Sequence, residues 1–148
     1  MTYILGIDPG NVESAWAGIK PGDCQPYDIG KATNDRVREM LRTIIRIRPD
    51  VHVAIEMVAC YGMPVGAEVF ETCVEIGRFV EICPTAQLVY RREIKLHHCQ
   101  SARANDAAIR QALIDRFGNK GTKKQPGWFY GFKADIWAAY ALAVYVAD

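Results

Sequence analysis

Several features that would define other classes of protein are missing from this sequence. Its apolar runs are broken by charge well short of the roughly 20 residues that a membrane-spanning helix needs. Residues 1–8 carry no basic segment and end on an acid, Asp8, which predicts a core strand and not a signal peptide. The five cysteines are odd in number and form no C-x-x-C pair, which favours reduced, mostly buried thiols over a disulfide framework. We therefore expect a cytoplasmic protein.

Internal repeats, low-complexity tracts and domain linkers are missing as well. Half of the 148 residues are hydrophobic, which is enough for a core, and Gly, Pro and Ser are too sparse to suggest disorder. The length suits one compact domain, so we predict a single domain over residues 1–148.

The order of the predicted elements indicates an α/β fold. Residues 2–8 and 14–20 are typical of two antiparallel strands joined by the turn Pro9-Gly10-Asn11. Further strands are predicted over residues 27–31, 51–58 and 85–90, and helices over about 34–48, 67–81, 105–117 and from about 133 onward. A hairpin followed by alternating helices and strands predicts a mixed central sheet with helices on both faces.

The helix over residues 67–81 has an apolar and an acidic side in this prediction. The side expected to face the core carries Val69, Phe70, Cys73, Val74, Ile76 and Val80. A dimer interface through Val69, Phe70, Val74 and Phe79 explains the pattern equally well. Its acids, Glu68, Glu71 and Glu75, are interpreted as a solvated face.

Three acids stand in apolar surroundings where an ionised carboxylate is costly to bury. Asp8 ends the first strand, Glu56 lies inside the apolar strand over 51–58, and Asp135 begins the last helix. If the first and fourth strands are neighbours, Asp8 and Glu56 lie at the edge where open α/β sheets bind ligands. The small residues Ala138 and Ala139, with Leu142, would let the last helix approach the sheet and bring Asp135 beside them.

Such a cluster of oxygen donors suits Mg²⁺ or Mn²⁺, and two of these ions together support phosphodiester hydrolysis. Each acid also has an ordinary structural explanation. Asp8 before Pro-Gly is typical of a turn, and Asp135 complements a helix dipole. Glu56 is the hardest to explain without a site, because it lies in the interior of a strand.

The segment Ile4-Leu5-Gly6-Ile7-Asp8-Pro9-Gly10 resembles the opening of the RuvC-like Holliday junction resolvases. The similarity continues through 54–56, 92–113 and 133–143, and residues 61–79 are similar to a phage-associated branch of these nucleases. The resemblance implies an RNase H-like fold, Mg²⁺ or Mn²⁺ dependence with two ions held by Asp8, Glu56 and Asp135, a homodimer, and paired nicking of four-way DNA junctions. It also suggests that the protein is encoded by a virus or phage and acts in the host cytoplasm.

One departure from that family concerns the last helix. The bacterial proteins usually carry a second metal-binding position one turn further along, where this chain has Ala138 and Ala139. The fourth donor is therefore absent or supplied elsewhere, with Glu13 as a weak candidate.

Positive charge is concentrated between Arg91 and Lys124, where nine Lys and Arg residues face three acids and so favour a polyanion partner. The candidate phosphate contacts are Arg91, Arg92, Lys95, Arg103, Lys120, Lys123 and Lys124, with Lys95 the first choice for stabilising developing charge. The neighbouring Trp128, Phe129 and Tyr130 either stack on an exposed base or, more simply, anchor their loop to the core.

Other functions are weaker fits to the same residues. An RNase H-like or YqgF-like nuclease acting on RNA or RNA–DNA hybrid uses the same carboxylates and is the main alternative. An actin-like ATPase or sugar kinase needs two such domains, which 148 residues do not supply. A junction-binding protein without activity would not need the acids, and the half-site His97-His98-Cys99 lacks a second ligand pair for zinc.

Overall fold

The structure, a computed structural model, describes residues 3–148. Its elements in chain order are β1 (Ile4–Asp8), β2 (Glu13–Ile19), β3 (Pro26–Thr33), α1 (Asn34–Ile47), β4 (His52–Met57), α2 (Ala67–Ile82), β5 (Gln87–Tyr90), α3 (Arg91–Cys99), α4 (Asp106–Phe117) and α5 (Ile136–Ala147). None of these helices is both long and apolar enough to cross a membrane.

The five strands form one mixed sheet in the order β3-β2-β1-β4-β5. β1, β2 and β3 are antiparallel neighbours, while β4 runs parallel to β1 and β5 parallel to β4. This confirms the predicted mixed sheet, and the first and fourth strands are neighbours, which is the condition for Asp8 and Glu56 to lie at one edge. The C-terminal ends of β1 and β4 therefore meet at one edge.

Helices cover both faces of the sheet, as predicted, because each face buries its own apolar cluster. On one face, residues of β1, β2 and β4 pack with α3, α4 and α5 around the fully buried Tyr140 and Leu142. On the other face, Leu5, Ile7 and Ile55 pack against α1 and α2. Side chains alternate between the faces along a strand, so Asp8 lies on the same face as Ile4, toward α5.

α5 lies unusually close to the sheet because Gly6 has no side chain. A Cβ at Gly6 would overlap the carbonyl oxygen of Ala139 and lie 3.2 Å from the Cβ of Ala143. Ala139, Leu142 and Ala143 are all buried at this contact. The predicted close approach of the last helix is therefore present, although Ala138 points into a cleft and not at the strands.

The turn after Asp8 is fixed by a buried polar network. Ser14 Oγ donates to Asn34 Oδ1 at 2.7 Å, and Asn34 Nδ2 donates to the carbonyl oxygen of Gly10 at 3.0 Å. Gly10 N in turn donates to Ser14 Oγ at 3.2 Å. Since Ser14 and Asn34 are almost completely buried, this network ties the β1–β2 turn to the start of α1.

The predicted core face of α2 is only partly right. Ile76 is buried as predicted and Val69, Cys73 and Val80 are half-buried, but Phe70 and Val74 are exposed. Thr72 and Glu75, which were not predicted to face the core, are buried, and so is Phe79. Glu75, predicted to be solvated, is only 2% exposed because Arg38 of α1 donates to it at 2.5 Å. The helix is therefore rotated toward α1, with an ion pair under its apolar side.

Other differences concern element ends and one whole helix. The predicted first strand includes Thr2, which lies outside the described residues, and the last helix begins at Ile136 and not near residue 133. α3 had no counterpart among the predicted elements. The predicted cap at Asn105 is confirmed, since Asn105 Oδ1 accepts from Ala108 N at 2.8 Å.

The cysteines are free thiols in the structure. Cys24 and Cys83 are buried, but Cys60 is exposed, so the thiols are less buried than predicted.

Candidate active site

A row of residues crosses the sheet at the end of β1. Asp8 pairs with Ala15 on β2, and Ala15 pairs with Lys31 on β3. Ile7 pairs with Ile55, which places Glu56 of β4 next to Asp8. Because paired positions face the same side of a sheet, the carboxylates of Asp8 and Glu56 and the ammonium of Lys31 share the face toward α5.

Asp135 reaches this row from the start of α5. It occupies the N-cap position, but its side chain makes no capping hydrogen bond. Instead it accepts from Lys31 Nζ at 2.6 Å. The preceding residue, Ala134, has a φ of 48°, a left-handed conformation that is costly for a residue with a Cβ and is often found at functional sites.

The three predicted acids are close enough to act on one another. Burial, together with the carboxylates of Glu56 and Asp135, raises the pKa of Asp8 from 3.8 to about 8. Arg91 works in the opposite direction but does not cancel these effects. A half-buried acid with two acidic neighbours is short of positive charge, and a bound cation would supply it.

Two side-chain cations flank the acids. Arg91 Nη1 donates to Glu56 Oε1 at 3.0 Å and also pairs with Asp106 at the start of α4. Lys31 pairs with Asp135 on the other flank. Asp8 lies between the two pairs, and a cleft of about 190 Å³ opens beside it, lined also by Arg91, Asp106 and Asp135.

The donor set fits a hard divalent ion by its chemistry, since carboxylate oxygens are what Mg²⁺ and Mn²⁺ prefer. Within residues 3–148, however, no three His, Cys, Asp or Glu side chains already converge as a metal site. The acids are neighbours whose outer two members are turned toward Lys31 and Arg91. A bound ion would compete with these two side chains for the oxygen atoms of Glu56 and Asp135.

The predicted DNA-contacting residues fall into separate groups. Arg91, Arg92 and Lys95 line a cavity of about 540 Å³ next to Glu56. Arg103 is exposed in the α3–α4 connection, and Lys120, Lys123 and Lys124 are exposed in the loop before α5. That loop packs near Gln25–Ile29 of the opposite sheet edge, and its lysines are not among the residues lining the cleft at Asp8.

The aromatic residues of that loop mostly anchor it, as the simpler interpretation predicted. Phe129 is fully buried, and Trp128 stacks on Phe117 and donates to Tyr140 Oη at 3.0 Å. Tyr130, 46% exposed, is the one of the three predicted aromatics with much free surface.

The residues of the suggested zinc half-site have protein partners. His97 pairs with Asp148 at 2.7 Å, and His98 donates to the carbonyl oxygen of Ala141 at 2.8 Å. Burial lowers the pKa of His98. Both rings therefore serve the contact between α3 and α5.

Sequence reasoning missed Lys31, Asp106 and Arg110 as residues of the site. Lys31 is brought in by the register of β3, and Asp106 by its ion pair with Arg91. Arg110 lines the same cleft and lies over the ring of Trp137. The candidate fourth donor, Glu13, lies near enough to Lys31 to contribute to the raised pKa of that ammonium.

Two solved structures of Thermus thermophilus RuvC resemble this chain along nearly its whole length. The structure of that protein alone has a TM-score of 0.71 and 14% sequence identity over 97% of this chain and 92% of its own. Its complex with a Holliday junction substrate has a TM-score of 0.68 and 12% identity over 98% of this chain and 92% of its own. No protein-family model and no curated protein sequence matches the chain. The chain therefore has a RuvC-like fold, the mixed-sheet architecture of the RNase H-like class.

Proposed function

We propose that this chain is a divalent-metal-dependent endonuclease that cuts four-way junctions and other branched DNA. One observation carries the proposal: Asp8 lies half-buried beside Glu56 and Asp135 at the strand ends of a RuvC-like sheet. A merely structural carboxyl group is not normally placed beside two others, because their repulsion opposes folding. The similar protein was solved with a Holliday junction substrate, which supports DNA as the substrate class.

Asp8, Glu56 and Asp135 would hold one or two Mg²⁺ or Mn²⁺ ions. Such ions, when bound, activate water and offset the charge of the phosphate under attack. Asp8 is the central residue, since it lies between the other two and is the most strongly affected by them. Asp106, already beside Arg91 in the same cleft, is a further carboxylate for a chain without an acid at Ala138.

The basic residues would hold the DNA backbone near the acids. Arg92 and Lys95 line the cavity beside Glu56 and are the nearest candidates for phosphate contacts on that flank. Arg91 both orients Glu56 and faces this cavity. Arg103 and the exposed Lys120, Lys123 and Lys124 would contact more distant arms of a branched substrate.

A homodimer fits this activity, because two symmetric cuts in a four-way junction require two sites. The exposed pair Phe70 and Val74, one helical turn apart on α2, is an apolar surface available for such contact. Light scattering should then give a mass of twice 16.6 kDa. A cytoplasmic location and a viral or phage origin stay predictions.

The test is cleavage of a synthetic four-way junction with Mg²⁺, Mn²⁺ or EDTA. Linear duplex, flap DNA and an RNA–DNA hybrid serve as controls. Paired, metal-dependent nicks in the junction are expected, with linear duplex left intact. Cleavage of the hybrid and not of the junction would favour the RNase H-like alternative, in which the substrate is RNA or an RNA–DNA hybrid. The same carboxylates would serve that activity.

A further inference from the structure

Lys31 belongs to the site through the geometry of the sheet. It lies two strands from Asp8 in the same cross-strand row, and the residue between them is Ala15, which is fully buried. A larger side chain at position 15 would separate the lysine from the acids. With a methyl group there, Lys31 extends over β2 and reaches Asp135.

The contact between Lys31 and Asp135 is short but easily exchanged. Nζ lies 2.6 Å from Oδ2, yet the two side chains are 35% and 52% exposed. An ion pair open to water is weak, because the solvent screens it and offers both partners other hydrogen bonds. The ion pair of Arg38 with Glu75, in which the carboxylate is 2% exposed, has no such freedom.

Lys31 and Arg91 differ in how firmly each is held. Arg91 is tied to two carboxylates, Glu56 and Asp106, on separate elements. The hydrogen bond of Lys31 goes to Asp135, one of the residues assigned above to the metal ions. Release of that carboxylate would leave a positive charge beside the acids, on the flank away from Arg92 and Lys95.

We propose that Lys31 is a residue that contacts the scissile phosphate, and that it is held on Asp135 in the metal-free protein and would be released when that carboxylate serves a divalent ion. This inference rests on the proposed function. Freed from Asp135, the ammonium stays anchored on β3 and donates to a non-bridging oxygen of the phosphate, whose charge it offsets. This is the role that the sequence assigned to Lys95, on the other flank. In the metal-free protein the same contact makes Lys31 a competitor of the ion.

The test uses Lys31→Met, with Lys31→Arg as the conservative variant and Lys20→Met as a control at an exposed lysine directly after β2. Mn²⁺ binding is measured by electron paramagnetic resonance without DNA, and junction cleavage is measured at saturating Mn²⁺. Lys31→Met should bind Mn²⁺ about threefold or more tightly, because a competing charge is gone. The same variant should cut at least about tenfold more slowly, because the phosphate loses its contact. Lys31→Arg and Lys20→Met should stay close to wild type in both measurements.

Tighter Mn²⁺ binding together with slower cleavage in Lys31→Met separates this role from a structural one. A misfolded variant would lose metal binding and cleavage together. Unchanged or weaker Mn²⁺ binding by Lys31→Met would overturn the competition. A normal cleavage rate at saturating Mn²⁺ would overturn the phosphate contact. If the wild-type protein cuts no branched DNA, the proposed function fails, and Mn²⁺ binding still decides whether Lys31 competes for Asp135.

Discussion

The carboxyl group of Asp8 makes the stability of the metal-free protein depend on pH. Its pKa is raised from the ordinary value of 3.8 to about 8 in the folded chain, so folding favours the protonated form. The favourable contribution of the Asp8 carboxyl group to the free energy of unfolding is fully present below about pH 4. It is lost as the pH rises to about 8. Asp8→Asn should therefore match wild type near pH 4 and be more stable by up to about 5 kcal/mol above pH 8, since about 1.4 kcal/mol of stability goes with each pH unit between the two pKa values. Urea unfolding in EDTA across this range measures the difference.

Asp148 provides a control, because its effect on stability depends on pH in the opposite direction to that of Asp8. Hydrogen bonds from Arg116 and His97 lower its pKa to about 2, so it stabilises the fold above pH 4 and loses this effect as the pH falls toward 2. Asp148→Asn should be less stable than wild type at neutral pH, with the gap closing in acid. Parallel pH curves of the stability of wild type and Asp8→Asn would contradict the assignment of Asp8 as the acid whose pKa is raised by its two acidic neighbours.

At the scale of single residues, the sequence was enough to identify the three acids of the site but not the residues that pair with them. Asp8 and Glu56 could be found because acids in apolar strands are conspicuous, and Asp135 because it begins an apolar helix. Lys31 had no such signal. Its place depends on the register of β3 on β2, which local sequence does not encode, and without that register the small size of Ala15 carries no meaning for the site.

At the scale of elements, the contact between α5 and β1 brings Asp135 to the strands. Gly6→Val should destabilise the protein by about 3 kcal/mol, because its side chain would collide with the backbone of α5 at Ala139. Gly77→Ala is the matched control, since Gly77 is an exposed position of α2 with open space around it. That change should stabilise by about 0.5–1 kcal/mol. Chemical denaturation measures both, and a Gly6→Val protein as stable as wild type would contradict the close approach.

The rotation of α2 can be tested through its buried ion pair. Arg38→Met removes the nearer of the two arginine partners of a carboxylate that is 2% exposed, leaving only the longer contact with Arg78, and should cost about 3 kcal/mol. Glu75→Gln removes the charge and should cost less, and the double variant should recover part of the loss. If Arg38→Met cost no more than Arg42→Met, whose partner Glu39 is exposed, the buried pair would be unimportant.

The error in α2 has a physical origin. Its apolar residues fit more than one face, and the choice was decided by Arg38, which lies 37 positions away from Glu75 in the chain. A pattern within one helix does not contain that information. α3 was missed for a similar reason, because its residues are mostly polar and only Ile94 is buried.

At the scale of the whole molecule, the order of elements was enough to predict the architecture. The opening hairpin and the alternation that follows it leave few ways to build a mixed sheet, and β1 next to β4 is among them. The acids are therefore neighbours by topology. Their turning toward Lys31 and Arg91 is a matter of side-chain electrostatics, which the topology does not determine.

The most direct test of the central claim compares wild type with Asp8→Asn on a four-way DNA junction. Cleavage is followed at saturating Mg²⁺ or Mn²⁺, and binding is followed separately in EDTA. The variant should lose cleavage by about a thousandfold or more, because the central acid of the site is gone. It should bind the junction as tightly as wild type or more tightly, since one negative charge facing the DNA is lost. Cleavage by Asp8→Asn at the wild-type rate would show that these carboxylates are not the active site.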